Sequence, residues 1–384
     1  MKKPIPYGRQ SIDQKDIDAV IETLQSDFLT TGPKVKEFED KFADYVGAKY
    51  AVAVSNGTAA LHLACLALGV EPGQKIITTP ITFAASSNCV LYCGGEVEFC
   101  DIDRNTYLMD LDALEEKLSN AEPGTYSGVI PVDFTGLPID SERIRQIADK
   151  HGIWVIEDAC HAPGAYHINS NNEKVLSGSG QYSDLVCFSF HPVKHIACGE
   201  GGMITTQNED LYNSLMQLRT HGIRSTEMLE NHGGWYHEMH DLGYNYRLPD
   251  INCALGVTQL AKADEGMARR QEIAHRYDLE LGSQPGIKMQ VQPETTFNAY
   301  HLYVIEVDER KKFYEHLRSK NIFAQIHYIP THLHPYYQKL GWKKGDMPNA
   351  EDYYDHCISL PMYPGLSDDE QTYVINTILE FLNG

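Results

Sequence analysis

No run of about 18 apolar residues, the length a helix needs to cross a bilayer, occurs in the 384-residue chain. The opening segment has Lys2 and Lys3 but no apolar stretch behind them, so it does not read as a secretory leader. Basic residues are scarce: 32 Lys and Arg stand against 53 Asp and Glu, a formal net charge of −21. That balance and the lack of a basic stripe exclude nucleic acid and anionic membrane surfaces as expected partners. None of the nine cysteines forms a CxxC pair, and Cys89 and Cys93, four apart, have no second pair to complete a zinc set. The cysteines read as reduced core residues of a cytoplasmic protein, and no metal is expected. No GK[ST] follows a glycine turn and no GxGxxG follows the first strand, which excludes a Walker nucleotide site and a nicotinamide-binding oxidoreductase. What is present is ordinary globular material, 42% hydrophobic and 22% charged, without repeats. At about 150 residues per domain, the length suggests two or three domains.

Short apolar runs alternate with helical patterns over roughly the first three quarters of the chain. Strands are expected at AVAVS from Ala51, KIITT from Lys75, VEFCDI from Val97, GVIPV from Gly128, IWVIED from Ile153 and DLVCFSF from Asp184. Helical patterns fall at 58–68, 83–93, 111–118 and 142–151. Such alternation implies a largely parallel α/β sheet with crossover helices, its strands apolar throughout because both faces are covered. After Gly243 comes a loop, then a helix with Pro249 in its first turn and an acidic start at Asp250. From Tyr300 the pattern is strand, helix (310–319) and strand (IFAQIHYI), ending in a helix at 368–382. We therefore expect a large domain with its N-terminal arm over 1–246, and connecting helices with a smaller α/β domain over 247–384.

Five segments carry candidate chemistry. SNGTAALHLA, at 55–64, ends a strand and opens a helix, leaving backbone N–H groups and a hydroxyl for an anion; a plain capped turn has the same pattern. IWVIEDACHAPGA delivers Glu157, Asp158 and His161 to the C-terminal end of a buried strand, where ligands bind in open α/β sheets; a cap or a salt bridge is the plainer use. VCFSFHPVKHIACGEGG runs from a strand into Ser189, His191 and Lys194. A lysine desolvated there would have a lowered amine pKa and become a Schiff-base nucleophile, although most loop lysines are simply exposed. TTPITF puts Phe83 one turn into a helix, where a core aromatic is the plainer reading, and GYNYRL puts Asn245 and Arg247 in a loop, where turn residues are common. The histidines of IHYIPTHLHPYY have H-x-H spacing without a carboxylate or cysteine beside them, which favours a polar pocket wall over a metal.

Taken together and in this order, the five segments resemble the DegT/DnrJ/EryC1/StrS sugar aminotransferases, pyridoxal 5'-phosphate (PLP) enzymes of fold type I. The resemblance runs from GRQSID to LPMYPGLSDDE, and SFHPVKHIACGEGG is its most specific element. It implies a large domain with a mostly parallel seven-stranded sheet between helices and a smaller C-terminal α/β domain. By that resemblance Lys194 binds the cofactor covalently and then shuttles the proton, and Asp158 pairs with the pyridine nitrogen. Phe83 stacks on the ring, and His161 stands near the phenolic oxygen where many relatives have Gln. Gly57, Thr58 and Ser189 hold the phosphate. Asn245 reaches the phosphate of the neighbouring subunit, which implies a homodimer with shared active sites. Lys194 also separates the chain from the family's dehydratase branch, which carries His there.

Less universal segments, LTTGP, GGWYHEMHDLGYNYRLPDINCALG, IHYIPTHLHPYYQKLGW and LPMYPGL, are most similar to the family's pseudaminic acid branch. That likeness implies a bacterial C4 aminotransferase taking a UDP-linked 4-keto-6-deoxy-N-acetylhexosamine as substrate and L-glutamate as donor. Tyr7, Thr30, Arg247, His327 and Tyr328 are the candidate substrate contacts. The alternatives are an aminotransferase for another nucleotide keto-sugar, of GDP-perosamine or dTDP-amino-sugar type, and a non-catalytic PLP-binding relative. The presence of both Lys194 and Asp158 argues against the latter.

Overall fold

A computed structural model describes residues 3–224, 233 and 235–384; Gly234, within one of the segments that carry the likeness to the pseudaminic acid branch, lies outside the described residues. Seven strands form the central sheet: β1 (Tyr50–Val54), β2 (Lys75–Thr78), β3 (Glu96–Phe99), β4 (Tyr126–Ile130), β5 (Trp154–Asp158), β6 (Leu185–Ser189) and β7 (Gly202–Thr206). Their spatial order is β1-β7-β6-β5-β4-β2-β3. The pairs β2–β3, β2–β4, β4–β5 and β5–β6 are parallel, whereas β7 is antiparallel to both β1 and β6. The fold type I architecture and its α/β sheet are thus as expected. The six strands expected from apolar runs all form; the seventh, GMITT, follows β6 through the loop 190–201 with no crossover helix, which is why it enters antiparallel.

Four helices cross between the early strands: Gly57–Ala67, Ala85–Tyr92, Leu111–Ser119 and Ser141–His151. Phe83 is a correction. It precedes its helix, which begins at Ala85, and its ring is 62% exposed. The segment 79–84 after β2 is not helical and passes over the end of the sheet before the chain coils. Pro249 is likewise the N-cap of helix Asp250–Leu260, one position earlier than expected. Asp250 does more than start that helix: its carboxylate accepts from the Gly32 and Lys34 N–H groups (2.8 and 2.9 Å) at the N-terminus of helix Pro33–Val46.

In the C-terminal part, Tyr303–Glu306 pairs antiparallel with Lys288–Met289 and Cys357–Leu360. Ile273, Tyr277, Phe313, Ile358 and Ile378 fill a core of their own beneath this sheet. The strand expected at IFAQIHYI is only Ile322–Phe323, followed by a single bridge from Gln325 to Ser359. The chain leaves the ladder as His327 turns inward, where its Nδ1 lies 2.8 Å from Ser359 Oγ. Ile322–Phe323 pairs parallel with Ile5–Pro6, which anchors the N-terminal arm and sets the position of Tyr7.

One buried ion pair ties helix Pro33–Val46 to the sheet. Arg219 Nη1 contacts Glu39 Oε1 at 2.5 Å and the Ala53 carbonyl at 2.8 Å, and Glu39 Oε1 accepts from Ala53 N–H at 2.9 Å. Arg219→Ala strands the buried Glu39 charge and is expected to cost roughly 3 kcal/mol in denaturant unfolding. A loss below about 0.5 kcal/mol would show that Glu39 finds solvent or a proton instead.

Candidate active site

Each parallel strand ends on the same side of the sheet, and a cavity of about 790 Å³ opens there. β1 runs into Asn56, which caps helix Gly57–Ala67 by accepting from Ala59 N–H at 2.8 Å. The first helical turn leaves the Gly57 and Thr58 N–H groups without acceptors inside the helix. A Cβ built on Gly57 would stand 2.8 Å from Ser189 Cβ, so only glycine lets this turn close against the end of β6. Gly57, Thr58 and Ser189 therefore meet at one wall of the cavity. Free N–H groups, two hydroxyls and the positive end of a helix are a donor set suited to a phosphate ester.

Asp158 ends β5 and is buried. Ser86 Oγ donates to its Oδ2 at 2.6 Å and Cys160 N–H donates to its Oδ1 at 3.2 Å. Thr82 Oγ1 in turn lies 2.6 Å from Ser86 Oγ. Strand alternation sends Glu157 the other way, where it accepts from Ser183 Oγ at 2.9 Å and packs by the buried Asp133. Burial raises both of those carboxyl pKa values, and neither group lines the cavity.

Lys194 faces Asp158 across this space from the loop 190–201, which folds back through Lys194 N–H to the His191 carbonyl at 2.8 Å. The side chain touches the cavity but sits deep in the protein, and burial lowers its amine to about 8 despite the opposing pull of Cys160 and Asp158. Its Nζ lies 3.4 Å from His301 Nε2. The His301 and His161 rings are 4.3 Å apart, and Nδ1 of each is buried with no hydrogen-bond partner. Burial, then the Lys194 charge, pushes both imidazoles well below their ordinary range, so both are neutral. Buried polar atoms without partners at a cavity wall are what a bound polar ligand would satisfy.

Tyr7, Phe83, His161, His327 and Tyr328 complete the wall. The Phe83 and Tyr328 rings are 6.2 Å apart, and burial lowers His327 to about 3. Of the thirteen residues to which the resemblance assigns a cofactor or substrate role, ten line the cavity and three do not. Thr30 is exposed, Arg247 lines a separate depression beside Thr31 and Gly32, and Asn245 is exposed on this chain's own surface. The H-x-H pair also differs from expectation: His332 is buried with its Nε2 2.9 Å from Glu351 Oε1, and neither it nor His334 reaches the cavity. Sequence reasoning missed Asn56, Thr82, Cys160 and His301. The first three stand within two residues of positions it did single out, but His301 is 107 residues from Lys194 and carried no local signal.

The DegT/DnrJ/EryC1/StrS aminotransferase family model matches residues 10–379. The chain belongs to this family. The spore coat polysaccharide biosynthesis protein SpsC of Bacillus subtilis is 39% identical over 390 residues, covering 99% of this chain and 97% of SpsC. A UDP-4-amino-4,6-dideoxy-N-acetyl-β-L-altrosamine transaminase of Campylobacter jejuni is 37% identical over 384 residues, covering 98% and 97%. Among solved structures, the PLP-form of Spr1654 from Streptococcus pneumoniae superposes with a TM-score of 0.90 at 28% identity over 99% of both chains. Among the described residues, no helix is long and apolar enough to cross a membrane.

Proposed function

We propose that this chain is a PLP-dependent aminotransferase that moves the amino group of L-glutamate to C4 of a UDP-linked 4-keto-6-deoxy-N-acetylhexosamine, giving the UDP-4-amino-4,6-dideoxy-N-acetyl-β-L-altrosamine of pseudaminic acid biosynthesis. One juxtaposition carries the reading: a half-buried amine at Lys194, a carboxyl at Asp158 and an anion cradle at Gly57, Thr58 and Ser189 share one cavity. When bound, PLP supplies a carbonyl that condenses with amines and a ring that accepts electron density from the carbon losing its proton. The protein's own part is then positional and acid–base. Gly57, Thr58 and Ser189 hold the phosphate, and Asp158 holds a positive charge at the ring nitrogen. Phe83 covers one face of the ring, and His161 takes the phenolic oxygen. Lys194 Nζ would hold the cofactor and, once the donor's amine displaces it, would be the free amine that accepts the donor's proton and returns it one position away.

Tyr7, His327 and Tyr328 form the sugar side of the wall in this reading. Asn245 would serve the neighbouring subunit of a homodimer, and Arg247 would supply a cation for a donor carboxylate or a diphosphate. The pseudaminic substrate draws support from the segments named above and from the Campylobacter relative. The comparable identity of SpsC, named for spore coat polysaccharide, favours as second reading a different nucleotide keto-sugar.

Incubation with UDP-2-acetamido-2,6-dideoxy-β-L-arabino-hex-4-ulose, L-glutamate and PLP, followed by NMR, decides between them. The L-altro 4-amino sugar is the expected product. Release of 2-oxoglutarate without that product would retain the aminotransferase and discard the sugar. The amine itself can be titrated. In protein stripped of PLP, acetylation of Lys194 followed by mass spectrometry is expected to have its midpoint near pH 8, where an ordinary lysine has about 10.4. A midpoint above 10 would mean that the amine is not desolvated.

A further inference from the structure

Arg270 heads the fully enclosed side chains by volume and is 1% exposed. It projects from helix Ala263–Leu281, and no carboxylate among the described residues pairs with it. Its Nη1 instead donates to three backbone carbonyls, Tyr300 at 2.9 Å, His301 at 3.4 Å and Met362 at 3.0 Å, while Nε has no partner. A guanidinium buried without an anion is costly for a fold, and carbonyl dipoles compensate it only in part. Stability alone would be served as well by an apolar side chain of similar volume.

What those three carbonyls belong to is informative. Tyr300 holds φ +48, a left-handed conformation that a bulky residue rarely adopts, with its N–H bonded to Asn298 Oδ1 at 2.7 Å. The next residue, His301, is the group 3.4 Å from Lys194 Nζ, and no hydrogen bond on its own Nδ1 fixes the ring. Met362 N–H donates to the Tyr7 carbonyl at 2.9 Å, so the same guanidinium also braces the arm that brings Tyr7 to the cavity. Orientation of the His301 imidazole therefore comes from the backbone, and that backbone is clamped by Arg270.

We infer that Arg270 is a positioning residue for amino transfer: it locks the strained backbone at 300–301 so that the His301 imidazole stays on Lys194 Nζ. The inference rests on the reading of Lys194 as the reacting amine. Lysine in place of Arg270 keeps the charge, but its single, shorter-reaching nitrogen does not span the Tyr300 and Met362 carbonyls as a guanidinium does. The charge has a second consequence. With Asp158 and Cys160 opposing it, Arg270 adds to the burial that lowers the Lys194 amine below the ordinary lysine value.

The test is a double-mutant cycle on the PLP-loaded enzyme, reading single-turnover release of 2-oxoglutarate from L-glutamate. Arg270→Lys and His301→Ala are each expected to slow release roughly 10- to 100-fold with the apparent glutamate affinity unchanged. The double variant is expected to be no slower than His301→Ala alone. In stripped protein, Arg270→Met is expected to raise the Lys194 acetylation midpoint, whereas Arg270→Lys leaves it in place. Wild-type release by Arg270→Lys, or losses that multiply in the double variant, overturns the inference. A residue serving stability alone would lower the melting temperature without coupling to His301. If Arg270→Met does not fold, the Arg270→Lys cycle still decides. Lys194→Ala run alongside separates the two failures: undiminished release there sinks the reading of Lys194 itself, whereas a dead Lys194→Ala with multiplying losses sinks only the role of Arg270.

Discussion

Lys194→Ala is expected to slow glutamate-dependent formation of 2-oxoglutarate on the order of 10⁴-fold, the upper end of what one acid–base group contributes. Among the described residues lining the cavity, Lys194 carries the only primary amine. Its neighbour His301 is neutral and can exchange a proton, but it cannot replace an amine that binds a carbonyl covalently. Lys194→Arg sharpens the test. Arginine keeps a positive charge in the same place but stays protonated at any working pH, so it is expected to be as inactive as alanine. Recovery of a tenth of wild-type turnover by Lys194→Arg would mean that charge, and not a neutral amine, is what the site needs.

The same substitution has a stability sign that can be worked out. Folding lowers the Lys194 amine from its ordinary value to about 8, so the fold disfavours the charged form. Below pH 8 the lysine is protonated in both states and the whole burial penalty is felt. As pH rises from 8 toward the ordinary lysine value the penalty fades, and above it none remains. Lys194→Ala in stripped protein should accordingly melt no lower than wild type at pH 7, with any gain shrinking above pH 8. A dead enzyme that melts as well as wild type separates chemistry from misfolding.

Much of this site could be read from the sequence because each piece lies just past the end of a buried strand. The apolar runs of β1, β5 and β6 point to where those strands stop, and a parallel sheet brings their C-terminal ends to one side. Gly57, Asp158, Ser189 and Lys194 thus meet although they are far apart in sequence, because β1, β6 and β5 lie in one half of the sheet. The errors arise where the local pattern does not decide the outcome. TTPITF reads as a helix start, yet the chain stays irregular through Phe83 and coils only from Ala85. In the Glu157–Asp158 pair, the pleat separates two residues that look alike in sequence. His301 and Arg270 depend on the packing of the C-terminal part against the sheet, a long-range contact that no local periodicity encodes. Thr30, Asn245 and Arg247 lie outside the cavity, and nothing in their local sequence marks that.

Asp158→Asn is expected to lower the catalytic rate on the order of 10³-fold while the apparent affinity for glutamate changes by no more than a few-fold. The substitution is nearly isosteric, and the amide oxygen can still accept from Ser86 Oγ, 2.6 Å from Oδ2 in the aspartate. What it removes is the negative charge of a buried side chain, where a fixed charge acts more strongly than in solvent. If Asp158 stands against a protonated ring nitrogen, that charge favours the state in which the ring accepts electrons, and its effect falls on the rate more than on binding. Ser86→Ala supplies the contrast. It keeps the charge and removes the hydrogen bond to Asp158 together with the Thr82 contact, so its loss should be about tenfold and appear without the change in cofactor absorbance expected of the asparagine variant. Equal losses from the two variants would mean that Asp158 works by holding the Thr82–Ser86 turn in place. An asparagine variant within tenfold of wild type would remove Asp158 from the chemistry and leave Lys194 without its partner across the cavity.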